Sequence, residues 1–174
     1  RPLTALSRLE SMAQPFSQTV DLYDCTKQVL ESHSAQSAAR RLTVTLNDCH
    51  PVIQGNGDML GILLDNLIKN ALNYASVGTE VDIVLTDNGA SQLLIENQCQ
   101  DISDQQWQLI TQRFYRVPGS HGDGSGLGMS IVQRICELHS AQLSVGRRAT
   151  GDGYSARVQF APTKSRDTGL LAAG

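Results

Sequence analysis

The stretch Gly57–Ser76, GDMLGILLDNLIKNALNYAS, constrains the fold more than any other part of the chain. Leu60, Leu63, Leu64, Leu67, Ile68, Ala71 and Leu72 recur at i, i+3, i+4 and i+7, which predicts an amphipathic helix with its apolar side on a core. At about 100° per residue, Asn66, Asn70 and Asn73 fall near one line roughly opposite that core, flanked by Lys69 and Tyr74. Asparagine favours caps and turns, so such a row lowers helix propensity without adding burial. It is either a solvated helix face or a row of amide oxygens suited to a hard cation such as Mg²⁺.

The surrounding sequence supplies the rest of a sandwich. Leu3, Leu6, Leu9 and Met12 have helical spacing in Arg1–Met12, which reads as the end of a longer helix because so short a helix is marginal alone. Ala13–Gln18, with Pro15, is a linker. Thr19–Leu22 reads as an edge strand, and Asp21 can cap a helix running to about Arg40. Leu42–Leu46 and Pro51–Gln54 read as strands leading to the central helix. Beyond that helix, Val81, Ile83 and Leu85 alternate within Glu80–Thr86, Asp87-Asn88-Gly89 marks a hairpin turn, and Ser91–Asn97 is the returning strand. Ser103 and Gln106 form a capping box for a short helix holding Trp107 and Ile110. Val117–Asp123 reads as a mobile loop, Met129–His139 as a helix, and Gln142–Arg147 with Tyr154–Phe160 as a second hairpin turning at Thr150–Gly153. Thr163–Gly174 has no periodicity and is expected to be a disordered tail. The expected architecture is a two-layer α/β sandwich: a mixed, mostly antiparallel sheet with about three helices on one face.

Composition removes several classes of function. A net charge of −3 over 174 residues offers no overall basic footprint, so nucleic acid is not an expected partner. No apolar run approaches the roughly 18 residues of a membrane helix, so no membrane contact by this segment is expected. Cys25, Cys49, Cys99 and Cys136 form no CxxC pair, which favours reduced thiols in a cytosolic compartment over a zinc site or a disulfide scaffold. His33, His50, His121 and His139 show no metal-ligand spacing.

A second stretch, GDGSGLGMSIVQRI (Gly122–Ile135), places Gly124, Gly126 and Gly128 directly before a helix. Glycines admit close approach of a ligand to the backbone, and a helix N-terminus presents free N–H groups, so together they suit phosphate. Neither a Walker loop nor a dinucleotide fingerprint is present. A flexible loop at a glycine-rich helix entry is the plainer alternative.

Taken jointly, Asn66–Tyr74, Arg113-Phe114-Tyr115-Arg116 and Gly124-Ser125-Gly126-Leu127-Gly128 resemble the N box, F box and second glycine box of the histidine kinase ATP-binding domain. That domain shares the Bergerat fold with gyrase, mismatch-repair ATPases and the heat-shock chaperone ATPase. The opening LSRLES resembles the end of the second helix of the dimerisation and phosphoacceptor domain, and the likeness covers Leu3 to about Pro162. The resemblance implies residues 1–14 as that helix end and linker, 15–162 as the catalytic domain and 163–174 as the tail. It implies Asn70 as the Mg²⁺ ligand and Asn66 as a phosphate-side partner, both catalytic, with Tyr74 beside adenine. Gly124, Gly126, Leu127 and Gly128 would contact phosphate, and Arg113 and Arg116 could reach phosphates from the lid. Asn73 stands where the family usually has a phosphate-meeting Lys or Arg. ATP and Mg²⁺ are the implied ligands. A response regulator and the kinase's own dimeric phosphoacceptor domain are the implied partners. The implied setting is the cytoplasmic part of an inner-membrane sensor, catalysing phosphoryl transfer from ATP to histidine.

The sequence departs from that family at the first glycine box. Its Asp-x-Gly-x-Gly positions are taken by Asn97-Gln98-Cys99-Gln100-Asp101, so Asn97 replaces the adenine-reading Asp and both glycines are lost. Asn97 keeps a carbonyl acceptor but loses its charge, a difference of roughly 1–2 kcal/mol. On sequence alone, Asn97→Asp should therefore tighten ATP binding. Glu96 points to the opposite strand face. A phosphoacceptor His followed by Glu-Leu-Arg-x-Pro is absent from the 174 residues. The second reading is accordingly a degenerate regulatory module with weak or no ATP binding.

Overall fold

A computed structural model describes residue 16 and residues 18–99, 103–105, 108, 125–151 and 153–162. In chain order its elements are β1 (Gln18–Asp21), α1 (Leu22–Ser32), α2 (Ser34–Ala39), β2 (Thr43–Leu46), β3 (Val52–Gly55), α3 (Gly57–Tyr74), β4 (Glu80–Asp87), β5 (Ser91–Gln98), α4 (Ser125–Leu138), β6 (Gln142–Arg147) and β7 (Gly153–Gln159). Five strands form a sheet in the order β2-β4-β5-β7-β6, and β1 and β3 form a separate antiparallel ribbon. Only the β2–β4 pairing in the larger sheet is parallel.

The strand period of two produces the layers. Register aligns Ile83 with Ile95 and Ile95 with Ala156, so their side chains share one face. Val81, Ile83, Leu85, Leu93, Ile95, Ala156 and Val158 are buried there, whereas Asp82, Val84, Thr86, Gln92, Leu94 and Glu96 on the reverse face stay half-exposed. Against the buried face lies α3 with Leu60, Leu63, Leu64, Leu67, Ile68, Ala71 and Leu72, each of the apolar positions that its period selects. From α4 come Val132 and Ile135. Each fully buried aliphatic side chain contributes about 1.5–3 kcal/mol, which makes this two-layer contact the main source of stability.

The ends of α3 are closed by residues far apart in sequence. Asn56 caps its N-terminus, accepting from Met59 N–H at 3.0 Å. At the other end the Arg40 guanidinium donates to the carbonyls of Leu72, Asn73 (2.8 Å) and Ala75 (2.7 Å), satisfying groups that the helix leaves open. Both hairpins turn through a glycine in the left-handed region, Gly89 at φ 81° and Gly151 at φ 83°.

Asp21 caps α1 as its sequence position predicts, accepting from Tyr23 N–H at 2.8 Å and Asp24 N–H at 3.2 Å. The helix does not continue to Arg40, however. It breaks at His33, where Ser32 Oγ donates to the Val29 carbonyl at 2.6 Å and competes with the backbone ladder. The break lets His33 meet Asp65 at 2.6 Å and lets Gln36 of α2 donate to Asn73 at 2.7 Å. The helix expected over Arg1–Met12, the residues Gln106, Trp107 and Ile110, the loop Val117–Asp123 and the tail Thr163–Gly174 lie outside the described residues. Within the described residues no helix is long and apolar enough to cross a membrane.

Candidate nucleotide site

The site is built where α3 passes the first turn of α4. Asn66 and Asn70 of the asparagine row do not lie on the solvent side of α3, as the helical wheel had it. Asp58, Ile62, Asp65, Lys69 and Asn73 form the exposed stripe, while Asn66 and Asn70 are half-buried at its edge. The reason is the packing of α4 alongside α3, which turns part of the polar face into a seam. Asn73 belongs to the exposed stripe, and its side-chain oxygen accepts from Gln36.

Local hydrogen bonds fix the two seam amides in one sense. Asn66 Nδ2 donates to the Ile62 carbonyl at 2.8 Å, and Asn70 Nδ2 lies 3.1 Å from the Met129 sulfur. Their donors are thus engaged, and among the described residues their Oδ1 atoms are not. Asn66 Oδ1 faces the backbone of α4 so closely that a Cβ on Gly128 would lie 2.7 Å from it. Glycine at 128 is therefore what lets the amide oxygen reach the helix entry. Two neutral amide oxygens beside a helix N-terminus can hold a hard cation together with an anion. Mg²⁺ commonly takes one or two protein oxygens and fills its octahedron with water and phosphate, so the donor set fits a Mg²⁺–phosphate pair.

At the C-terminal end of α3, Tyr74 is half-buried with its ring 5.4 Å from that of Tyr154. Asn97 is wholly buried, as β5 alternation demands, and Glu96 faces the other way. Asn97 Nδ2 donates to the Ala71 carbonyl at 2.6 Å and Asn97 Oδ1 accepts from Tyr154 N–H at 3.2 Å. Cys99 is buried at the end of the same strand. Burial raises the Tyr154 phenol, with Tyr74 adding to the shift, so it stays protonated. Burial likewise pushes the Cys136 thiol up to about 12, and all four cysteines are free of disulfides.

The structure thus brings Asn66, Asn70 and Gly128 together, and places Tyr74 and Asn97 beside Tyr154. Gly126 and Leu127 lie in the first turn of α4; Arg113, Arg116 and Gly124 lie outside the described residues. Sequence reasoning missed Tyr154, Met129 and the Ala71 carbonyl. Tyr154 shares strand parity with Ala156 and Val158, a signal that it points inward, but only the β5–β7 register sets it opposite Asn97. Elsewhere, ligand atoms of Asp21, Asp24 and His50 lie within 4.8 Å of one another. There His50 already bridges Asp21 and Asp48 at 3.0 Å each, and the cluster is far from burial.

An α/β sandwich in which an amide oxygen faces a glycine-bearing helix entry is an arrangement suited to a phosphate-bearing ligand. Residues 55–164 match the family described as histidine kinase-, DNA gyrase B-, and HSP90-like ATPase, and the chain belongs to that family. Its similarity extends to the sensor protein QseC of Escherichia coli strain K12, at 34% identity over 152 residues, covering 87% of this chain and 30% of that protein. The sensor protein kinase PmrB of Pseudomonas aeruginosa is 31% identical over 150 residues, covering 85% of this chain and 31% of that protein. The chain therefore spans about a third of the length of these relatives. The solved structure of the mycobacterial sensor histidine kinase MprB superposes with a TM-score of 0.65 at 25% identity, covering 82% of this chain and 95% of that one.

Proposed function

We propose that the chain is the ATP-binding catalytic domain of a two-component sensor histidine kinase. The observation that carries this reading is the Asn66 amide oxygen facing the entry of α4 at Gly128, with Asn70 one turn further along the same seam. Asn70 would ligate Mg²⁺, and Asn66 would sit on the phosphate side with the backbone of Gly126, Leu127 and Gly128. Arg113, Arg116 and Gly124 would complete the phosphate contacts, and Tyr74 and Asn97 would mark the base end of the site. Bound Mg²⁺ supplies charge neutralisation on the phosphates. The chain's own residues hold and orient the triphosphate, so that a histidine on another domain can take the γ-phosphoryl group while ADP leaves.

The family match over residues 55–164 and the described fold support the catalytic domain assigned to residues 15–162; the end of a phosphoacceptor helix and linker at 1–14 and the tail at 163–174 rest on the sequence resemblance and pattern alone. The same reading assigns a response regulator and a dimeric phosphoacceptor domain as partners, and the cytoplasmic part of a membrane-anchored sensor as the setting. The second reading, a regulatory module with weak or no nucleotide binding, is favoured by one observation. Both polar atoms of the Asn97 side chain are engaged by the protein itself.

Calorimetric titration with a non-hydrolysable ATP analogue, with and without Mg²⁺, separates the two. Micromolar to sub-millimolar binding that needs Mg²⁺ supports the catalytic domain, and its absence in folded protein supports the regulatory module. Asn70→Ala should abolish the Mg²⁺-dependent binding. It should cost less than about 1 kcal/mol of stability, because among the described residues the partner of its amide is a weakly accepting thioether. A large loss of melting temperature with unaltered binding would make Asn70 structural.

A further inference from the structure

The beginning of β7 is pressed against the end of β5. Gly153 pairs with Gln98 and Tyr154 with Asn97, and a Cβ on Gly153 would lie 1.9 Å from the Asn97 carbonyl oxygen. That approach brings the Tyr154 N–H onto Asn97 Oδ1 and directs the Tyr154 side chain inward. Among the described residues it is the largest fully buried side chain, 1% exposed. Its ring lies against Tyr74 at a 40° tilt, in the space bounded by the last turns of α3 and by Asn97.

A purine needs two things at such a position: a flat slot and hydrogen-bonding atoms that face into it. Here the amide of Asn97 donates to the Ala71 carbonyl and accepts from the strand beside it, and the slot next to Tyr74 holds an aromatic ring already. We propose that Tyr154 fills the base subsite of this domain, so that ligands are selected by their phosphates and Mg²⁺ and not by their base. Tyr154 is thereby a specificity-determining residue. This rests on the reading above that Asn66, Asn70 and the entry of α4 take the phosphate end. The ligand class is nucleoside triphosphates of either purine, with inorganic tripolyphosphate bound comparably.

The test is calorimetry of the wild-type chain with Mg²⁺ and, in turn, ATP, GTP and tripolyphosphate. The three dissociation constants are expected to agree within about threefold, a spread under 1 kcal/mol. Tyr154→Thr keeps a residue type favoured in strands while removing the ring. With folding verified by its melting transition, this variant should bind ATP at least about tenfold tighter than wild type and leave tripolyphosphate unchanged. A wild-type preference for ATP over GTP and tripolyphosphate of about tenfold or more would overturn the proposal and leave the functional reading intact. A folded Tyr154→Thr that gains no affinity for ATP would also overturn it. Absence of binding for all three ligands in both proteins would defeat the phosphate reading as well. Should Tyr154→Thr not fold, the wild-type comparison alone decides.

Discussion

At Gly128 a single hydrogen atom separates stability from function. An alanine there would favour the helix by up to about 1 kcal/mol, and the atom it meets is the free end of a side chain that can rotate. Gly128→Ala is therefore expected to melt at or slightly above the wild-type temperature while weakening Mg²⁺-nucleotide binding about tenfold, because Asn66 Oδ1 must leave its place. A parallel loss of both would mean the glycine serves packing. Asn97 behaves oppositely. Sequence alone expects Asn97→Asp to improve binding, but the structure sets the side-chain nitrogen on the Ala71 carbonyl. A carboxylate would turn that contact into a repulsion in a fully buried place, so Asn97→Asp should lose about 2–4 kcal/mol in urea denaturation. The type of residue at 97 was legible in the sequence; the partner that gives it meaning was not, since Ala71 lies on a different element.

Among the elements, α3 and α4 are joined at both ends. One joint is the Asn70–Met129 contact. The other is His139, whose Nδ1–H donates to the Ile135 carbonyl at 2.8 Å while Nε2 accepts from Asn56 N–H at 3.1 Å, the capping residue of α3. Its ring stacks on Phe16 at 4.3 Å. Both nitrogens are thus committed in the neutral form, and burial lowers the His139 pKa despite the bond to Ile135. A lowered folded-state pKa means that the unfolded chain binds the proton more readily. The stabilisation is present above about pH 6.5 and is lost as pH falls through the folded value. His50 has the opposite sign, raised chiefly by its hydrogen bond to Asp21, so total stability blends two trends. The clean measurement is the difference between wild type and His139→Phe. Wild type should be the more stable at pH 7.5, and its advantage should shrink towards pH 5.5. The apolar period announced both helices, and Met129–His139 was placed within a few residues of α4. The break after Ser32 was not visible, because serine and histidine are tolerated inside helices and the contacts that favour the turn, His33 with Asp65 and Gln36 with Asn73, join distant segments.

The molecule as a whole is a sandwich whose layers follow directly from alternation in β4, β5 and β7 and from the single apolar face of α3. Two features escaped the sequence: that β1 and β3 leave the main sheet as their own ribbon, and that β2 lies parallel to β4. Both depend on pairings between distant segments, which periodicity does not encode. The double attachment of α4 has a mechanical consequence. A rod held at two points cannot pivot, so whatever ligand binding does to the entry of this helix must be absorbed in the turn before Met129. Read as amide exchange, nucleotide should slow deuterium uptake at residues 125–128 and leave Val132 to Leu138 unchanged. A uniform change along the whole rod would show that one of its fastenings gives way.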